Sequence, residues 1–184
     1  MFSRMGGEGA ADQLPPTHPV RILMEEHDQL LGFLDEIESA ATAARKSTAG
    51  LEPGGTLRVS LHGLALRLLD AEPHHQREEQ ALFPRMERVG IEGPPHMMRM
   101  EHEMLRASKR ALAEQMKSDD AADEAFVARL CRTASDLVGM LRAHIQKENQ
   151  ILYPMALEAL PPEEWSEIAA DCEKIGPCSF SNWR

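Results

Sequence analysis

Aromatic side chains are scarce: five Phe, two Trp and one Tyr make up 4% of the 184 residues. With Leu, Ala, Glu and Met frequent, that scarcity argues against a sheet and for helices. Cysteine is sparse too. Cys131, Cys172 and Cys178 show no zinc-ligand spacing, and an odd number of thiols is unremarkable in a reducing compartment. Cys131 reads as core filling, whereas Cys172 and Cys178, near the end, are candidates for reactive thiols. Positive charge is outnumbered, 20 basic against 30 acidic residues, for a formal charge of -10. A negative surface argues against nucleic acid and anionic lipid as main partners. No apolar run is long enough to span a bilayer, and the Gly-rich, polar stretch Met1 to Pro16 has no apolar signal core. The expectation is a cytoplasmic protein with a loose tail over residues 1–17. What the chain does have is 42% apolar residues and a length that suits one domain with one core.

Periodicity and punctuation give five helices. The first is expected over Pro19 to Lys46, entered through Thr17-His18-Pro19, with Leu23, His27, Leu30, Leu34 and Ile37 inward. A loop marked by Gly50, Pro53, Gly54 and Gly55 leads to the second, Thr56 to Arg88, which Pro73 should kink. After the turn Gly90 to Pro95, a third runs to Lys117 with Met98, His102, Leu105, Leu112 and Met116 inward. Ser118-Asp119-Asp120 breaks the chain and can cap a fourth helix, Ala122 to Leu160, bent near Pro154. Its seam is Phe126, Leu130, Ala134, Leu137, Leu141, His144, Glu148 and Ile151. Pro161-Pro162 opens a short fifth helix, Glu163 to Ile175. Short connections imply antiparallel neighbours, hence an all-α, up-down-up-down four-helix bundle over residues 18–176, followed by an exposed tail, 177–184.

Each long helix sets a histidine on or beside its apolar stripe, and two add a glutamate. A buried, unpartnered carboxylate costs several kcal/mol or loses its charge. The same fault once per helix suggests a shared central partner, and a metal is the economical choice. A His followed four residues later by Glu arises about once by chance in such a chain, so one instance means nothing. Here the strings repeat. His74 to Pro84 (HHQREEQALFP) parallels His144 to Pro154 (HIQKENQILYP), and Met24-Glu25-Glu26-His27-Asp28 parallels Arg99-Met100-Glu101-His102-Glu103. The chain therefore reads as two helical hairpins, each giving one His and then His-x-x-x-Glu. Only His74–Glu78, not His75–Glu79, superposes on His144–Glu148, and a spacing of four puts such a pair on one face roughly 6 Å apart. His75 and Glu79 become supporting or surface groups. Heights agree in the first hairpin: His27 lies 24 residues before Leu51 and His74 lies 23 after it. In the second, His102 lies 17 before Asp119 and His144 lies 25 after, so part of Ser118 to Glu124 must be slack.

At these residues the chain resembles the hemerythrin-like family, the HHE cation-binding domains, whose pattern of His, His-x-x-x-Glu, His, His-x-x-x-Glu is matched by His27, His74, Glu78, His102, His144 and Glu148. The stretches Gly90 to Pro95, Met100-Glu101-His102, and Leu152 to Glu158 with Trp165 and Ile175-Gly176 after it, look like a branch whose helical domain often precedes a PAS sensor region. The resemblance implies an oxo- or hydroxo-bridged pair of iron ions, bridged by Glu78 and Glu148 with two histidines on each ion. Which pair serves which ion is left open. Manganese or zinc would also suit these ligands. The oxygen carriers of the family use a fifth histidine through His-x-x-x-His, which is lacking here.

Three functions compete. The first is binding or sensing of dioxygen, nitric oxide or peroxide. The second is repair of iron centres, or a redox enzyme reducing nitric oxide or peroxide; relatives of that kind usually carry a cysteine-bearing N-terminal region, and this N-terminal tail has no cysteine. The third is an interaction module with a structural metal, paired with a protein partner or a second copy. Among the other histidines, His18 reads as a helix-entry residue, His62 as a supporting donor or exposed, and His96 as a minor candidate for approaching the metal. Tyr153 and Phe83 hold matched positions and read as packing residues. The eleven methionines read as core filler or a flexible surface.

Overall fold

The computed structural model describes residues 13–183, so most of the expected N-terminal tail lies outside the described residues. Among those residues all regular structure is helical and there is no strand. None of these helices is long and apolar enough to cross a membrane.

Helix α1 spans Pro19–Lys46. Proline suits a first turn because its missing N–H would have no partner there. The ring of His18 adds an acceptor, taking the Val20 N–H at 3.2 Å. Arg45 and Lys46 sit at the end where helix carbonyls accumulate negative charge. The following loop closes tightly: a Cβ on Gly55 would stand 2.4 Å from the carbonyl oxygen of Gly50, so only glycine fits.

The long second helix expected from Thr56 does not run through. Helix α2 is Thr56–Leu69, the chain turns at Asp70 and Ala71, and α3 restarts over Glu72–Arg77. Within an unbroken helix Pro73 would crowd the Leu69 carbonyl and forfeit a hydrogen bond; in the first turn of a new helix it costs neither. The sequence predicts a kink, and the structure resolves the conflict with a break.

Beyond α3 the backbone widens. Glu78–Leu82 forms a π-helical turn before α4, Phe83–Arg88, and the Phe83 N–H reaches five residues back to the Glu78 carbonyl. The second half repeats this: α6, Glu124–Lys147, leads into a π-turn over Glu148–Leu152 and then α7, Tyr153–Ala159, with the Tyr153 N–H on the Glu148 carbonyl. Both wide turns end two residues before a proline, Pro84 or Pro154. Each ring lacks an N–H and crowds the carbonyl four residues back, and opening the turn relieves both faults. Each π-turn begins at the glutamate of a His-x-x-x-Glu string. The extra residue also rotates the seam: Ile151, expected inward, is 53% exposed, while Leu152 and Tyr153 are buried.

Helix α5, Gly93–Lys117, starts with Pro94 and Pro95 in its first turn. Residues 118–123 are non-helical, and Asp123, not Ser118 to Asp120, caps α6 by accepting the Phe126 N–H at 2.8 Å. Helix α8 is Pro162–Ile175 and stops at Gly176, whose φ of +90° favours glycine.

The chain divides into two compact units. One comprises residues 13–29, 71–101 and 144–183; the other comprises Leu30–Asp70 and His102–Ala143. The core of the first holds Val20, Leu23, Phe83, Leu152, Tyr153 and Ile168, with Trp165 and Trp183 against it. The tail after Gly176 is thus not simply exposed: Cys178 is buried and Trp183 packs on the core. In the second unit Leu30, Leu34, Leu61, Leu105, Phe126 and Leu130 are buried together with one guanidinium, that of Arg58. Arg58 donates to the carbonyls of Leu51, Gln115, Met116, Ser118 and Asp120 and to the Ser118 hydroxyl, and its plane lies 4.5 Å from the centre of the Phe126 ring. Two of these carbonyls, Gln115 and Met116, are ones that the end of α5 leaves without helical partners, and the others belong to linkers.

Candidate metal centre

The first unit brings His27 of α1 and His74 of α3 face to face, Nε2 to Nε2 at 3.1 Å. Their outer nitrogens settle the protons. His27 Nδ1 lies 2.7 Å from the Asn149 side-chain oxygen, and His74 Nδ1 lies 2.8 Å from Glu26 Oε2. Both partners accept, so both Nδ1 atoms donate, and in the neutral rings each Nε2 carries a lone pair. A third acceptor joins them: Glu148 Oε2 is 3.1 Å from His27 Nε2. Ligand atoms of His27, His74 and Glu148 all lie within 4.8 Å of one another, and all three residues are buried. Three converging acceptors repel unless positive charge sits among them. Glu148 accordingly favours a proton on His27 and raises its pKa against the opposing effect of burial, while burial lowers that of His74. Imidazole nitrogen and carboxylate oxygen are the donors that a divalent transition metal takes, so the residues present fit a bound cation.

The other carboxylate oxygen of Glu148 looks elsewhere. Oε1 is 2.9 Å from Nε2 of His144, whose Nδ1 lies 2.8 Å from Glu101 Oε2. His144 thus has the same polarity, with a pinned outer nitrogen and a lone pair turned inward. The two halves share this supporting chain. In the first, His74 bonds Glu26, and Glu26 accepts from the Arg77 guanidinium at 2.7 Å on each oxygen. In the second, His144 bonds Glu101, which pairs with Lys147. Each glutamate stands directly before the lone histidine of its hairpin, and each cation stands three residues after the histidine of His-x-x-x-Glu. The repeat alignment contains these four residues, and reading it only for ligands passes over them. Such partners fix ring orientation and tautomer. The first chain is sealed: Arg77 is buried, with Cys178 Sγ at 3.5 Å and the Trp183 ring at 5.3 Å. The second is open, with Lys147 40% exposed.

Glu78 is fully buried. Its Oε1 accepts the Tyr153 hydroxyl at 2.8 Å, and its Oε2 is 3.6 Å from His74 Nε2. Tyr153 also stacks on His27, centroid to centroid 5.7 Å. Burial, then the charges of Glu78 and Glu148, hold its phenol protonated, so Tyr153 does more than the packing expected of it. Its counterpart Phe83 is core. His102 is buried on α5 and opens the His102–Ala143 segment of the second unit. His75, expected as a supporting or surface group, is 1% exposed. His96 is exposed, His62 half-buried, and Glu79 half-buried. Cys172 and Cys178, the candidate reactive thiols, are buried, and burial pushes them up to about 11 and about 12. At neutral pH they are protonated and inert.

The Glu26 link carries a pH signature. Burial opposes its charge, but His74 and Arg77 outweigh burial and bring its pKa from the ordinary 4.5 to about 2. A carboxyl depressed on folding stabilises fully above its unfolded pKa, and that contribution drains away as pH falls from there through the folded value. Urea denaturation of the metal-free protein should therefore show stability falling between pH 4.5 and about 2, and Glu26→Gln should flatten that limb. An acid limb identical in the variant would remove Glu26 from the account.

No curated protein matches the chain. The family model described as Hemerythrin HHE cation binding domain does, over residues 18–156, a stretch that contains all six histidines and glutamates of the tandem pattern and both π-turns. With well over half its length matched, the chain belongs to the hemerythrin HHE cation-binding domain family.

Proposed function

We propose that this chain is a non-haem di-iron protein that binds or senses a small ligand, namely dioxygen, nitric oxide or peroxide. One observation carries the reading: the two oxygens of a single buried carboxylate, Glu148, face two different imidazole nitrogens, those of His27 and His144. A carboxylate so placed suits two ions, one on each oxygen. His27 and His74 then serve the first ion and His144 the second. Glu78 is the other bridging carboxylate, supported by its full burial and its closeness to His74. His102 is the remaining ligand, supported by its place in the tandem pattern and by its burial.

Iron is favoured because nitrogen and carboxylate ligands suit it and let it change oxidation state; manganese and zinc accept the same donors. A bound iron pair supplies an electron-rich centre for a diatomic ligand or peroxide. The chain supplies the rest. Asn149, Glu26 and Glu101 hold the imidazoles in register, and the Tyr153 hydroxyl holds Glu78. The test is metal analysis with Mössbauer spectroscopy on anaerobically purified protein, before and after air. Two irons per chain and a visible band reversible with gas exchange are the expected results. Rapid turnover of nitric oxide or peroxide would move the reading to a redox enzyme. A zinc-only or single-ion protein would overturn it.

A further inference from the structure

We infer that His75 is a ligand of the second ion, a fifth imidazole outside the pattern of one His and one His-x-x-x-Glu per hairpin. This rests on the two-ion reading above. Four observations within the first unit carry it. His75 is 1% exposed. Its ring stands edge-on to that of His144, centroids 6.2 Å apart, and at 6.0 Å from His74. A ring nitrogen of His75 lies within 4.8 Å of a ring nitrogen of His144. The Nε2 of His144, in turn, is the one that faces Glu148 Oε1 at 2.9 Å.

The distances suit a shared ion. With each metal–nitrogen bond about 2.1 Å, two imidazole nitrogens on one ion stand at most about 4.2 Å apart, so a small closing movement suffices. The tandem repeat supplies the cost argument. His75 aligns with Ile145, which is 3% exposed and fills its place with aliphatic carbon. A buried imidazole must have its nitrogens satisfied, a demand that isoleucine does not make. His75 Nδ1 lies 3.9 Å from Glu72 Oε2, so one ring nitrogen faces a carboxylate as in His74 and His144, and coordination gives the other nitrogen a use that isoleucine could not serve. The break before α3 contributes by restarting the helix at Glu72, three residues ahead of His75.

The pairing that results is regular. His27, which faces Glu148 Oε2, would share the first ion with His74; His144, which faces Glu148 Oε1, would share the second with His75. Two neighbouring residues of α3 thus serve different ions, since side chains one position apart on a helix point about 100° apart.

The experiment compares the wild-type chain with His75→Ile, the residue the repeat itself uses, and with His75→Gln, should the first variant lose its helical circular dichroism. The probes are iron and cobalt(II) titrations, read by metal stoichiometry, the cobalt visible spectrum and X-ray absorption. The wild type should hold two ions. The variants should bind the second at least about 100-fold more weakly than the wild type, beyond the 10- to 100-fold typical of a lost supporting group, with the first ion retained. His75→Ala should recover the second ion when free imidazole is added, a rescue that mere packing does not give. Variants that hold two ions with unchanged spectra and affinity would overturn the assignment of His75 while leaving the two-ion reading intact. A wild-type chain that holds one ion or none would overturn both.

Discussion

Glu148→Gln should empty both ion positions at once. The side chain keeps its size, but one oxygen becomes an amide nitrogen that can only donate, so one of its two faces turns from ligand to non-ligand. The remaining oxygen is a neutral, weaker donor, and the proposed pair of ions would lose the charge that draws them. Apparent affinity should fall at least about 100-fold at each position, beyond what a supporting residue costs. His144→Ala makes the contrast. Of the two Glu148 oxygens that imidazole faces Oε1, so its loss should remove the second ion and leave His27, His74 and Glu148 Oε2 to hold the first. Metal analysis of the two variants, side by side, checks the claim. Equal metal content in both would mean that Glu148 does not span two positions.

Arg58→Met should produce the largest loss of stability unconnected with metal. Methionine keeps much of the aliphatic stem but leaves the carbonyls of Leu51, Gln115, Met116, Ser118 and Asp120 short of a donor. Unsatisfied buried acceptors cost about 1–3 kcal/mol each, and water will reach the half-buried ones, so a total of about 3–5 kcal/mol is expected. At about 2–4 °C per kcal/mol in a chain of this size, the melting temperature should drop by about 10 °C. Lysine should rescue little, because one ammonium cannot reproduce a fork of donors. Arg129, which is 47% exposed and paired with Asp120, is the control, and its change to methionine should cost about 0.5 kcal/mol or less. A melting temperature for Arg58→Met within about 2 °C of wild type would show that the α5 terminus does not need this residue.

Where local chemistry alone decides, the sequence was a good guide. Helix α1 ends where its proline entry and basic exit place it, and the seam from Leu23 to Ile37 is buried throughout. The six residues of the tandem pattern are all buried. Where two local rules collide, the sequence gives the conflict without its resolution. Pro73 announced a distortion of the second helix but not that the chain would stop and restart. Pro154 announced a bend and Pro84 reads only as part of the repeat, and at both the chain opened a π-turn; carrying the 3.6-residue period through the second put Ile151 on the wrong face. Where distant partners decide, the sequence was silent. Arg58 in an amphipathic helix reads as a solvent residue, and only the carbonyls of the end of α5 and of the linkers account for its burial. His75 was set aside because the repeat selects His74, yet alignment says which residues correspond and not which are buried. The supporting glutamates and cations were in the aligned strings, at fixed offsets from the histidines, but an offset becomes a hydrogen bond only once the helices are packed.

The two π-turns also bear on how this chain could drift. A π-turn amounts to an α-helix carrying one surplus residue, and here each surplus lies immediately downstream of the glutamate of a His-x-x-x-Glu string. Losing one codon between Glu79 and Leu82, or between Asn149 and Leu152, would touch no histidine or carboxylate of the tandem pattern and shorten no loop. It would still turn the proline back against a helical carbonyl and swing the succeeding core residues, Phe83 or Tyr153, by about 100°. These two short windows should therefore resist any change of length, although neither is a loop and neither holds a residue of the tandem pattern.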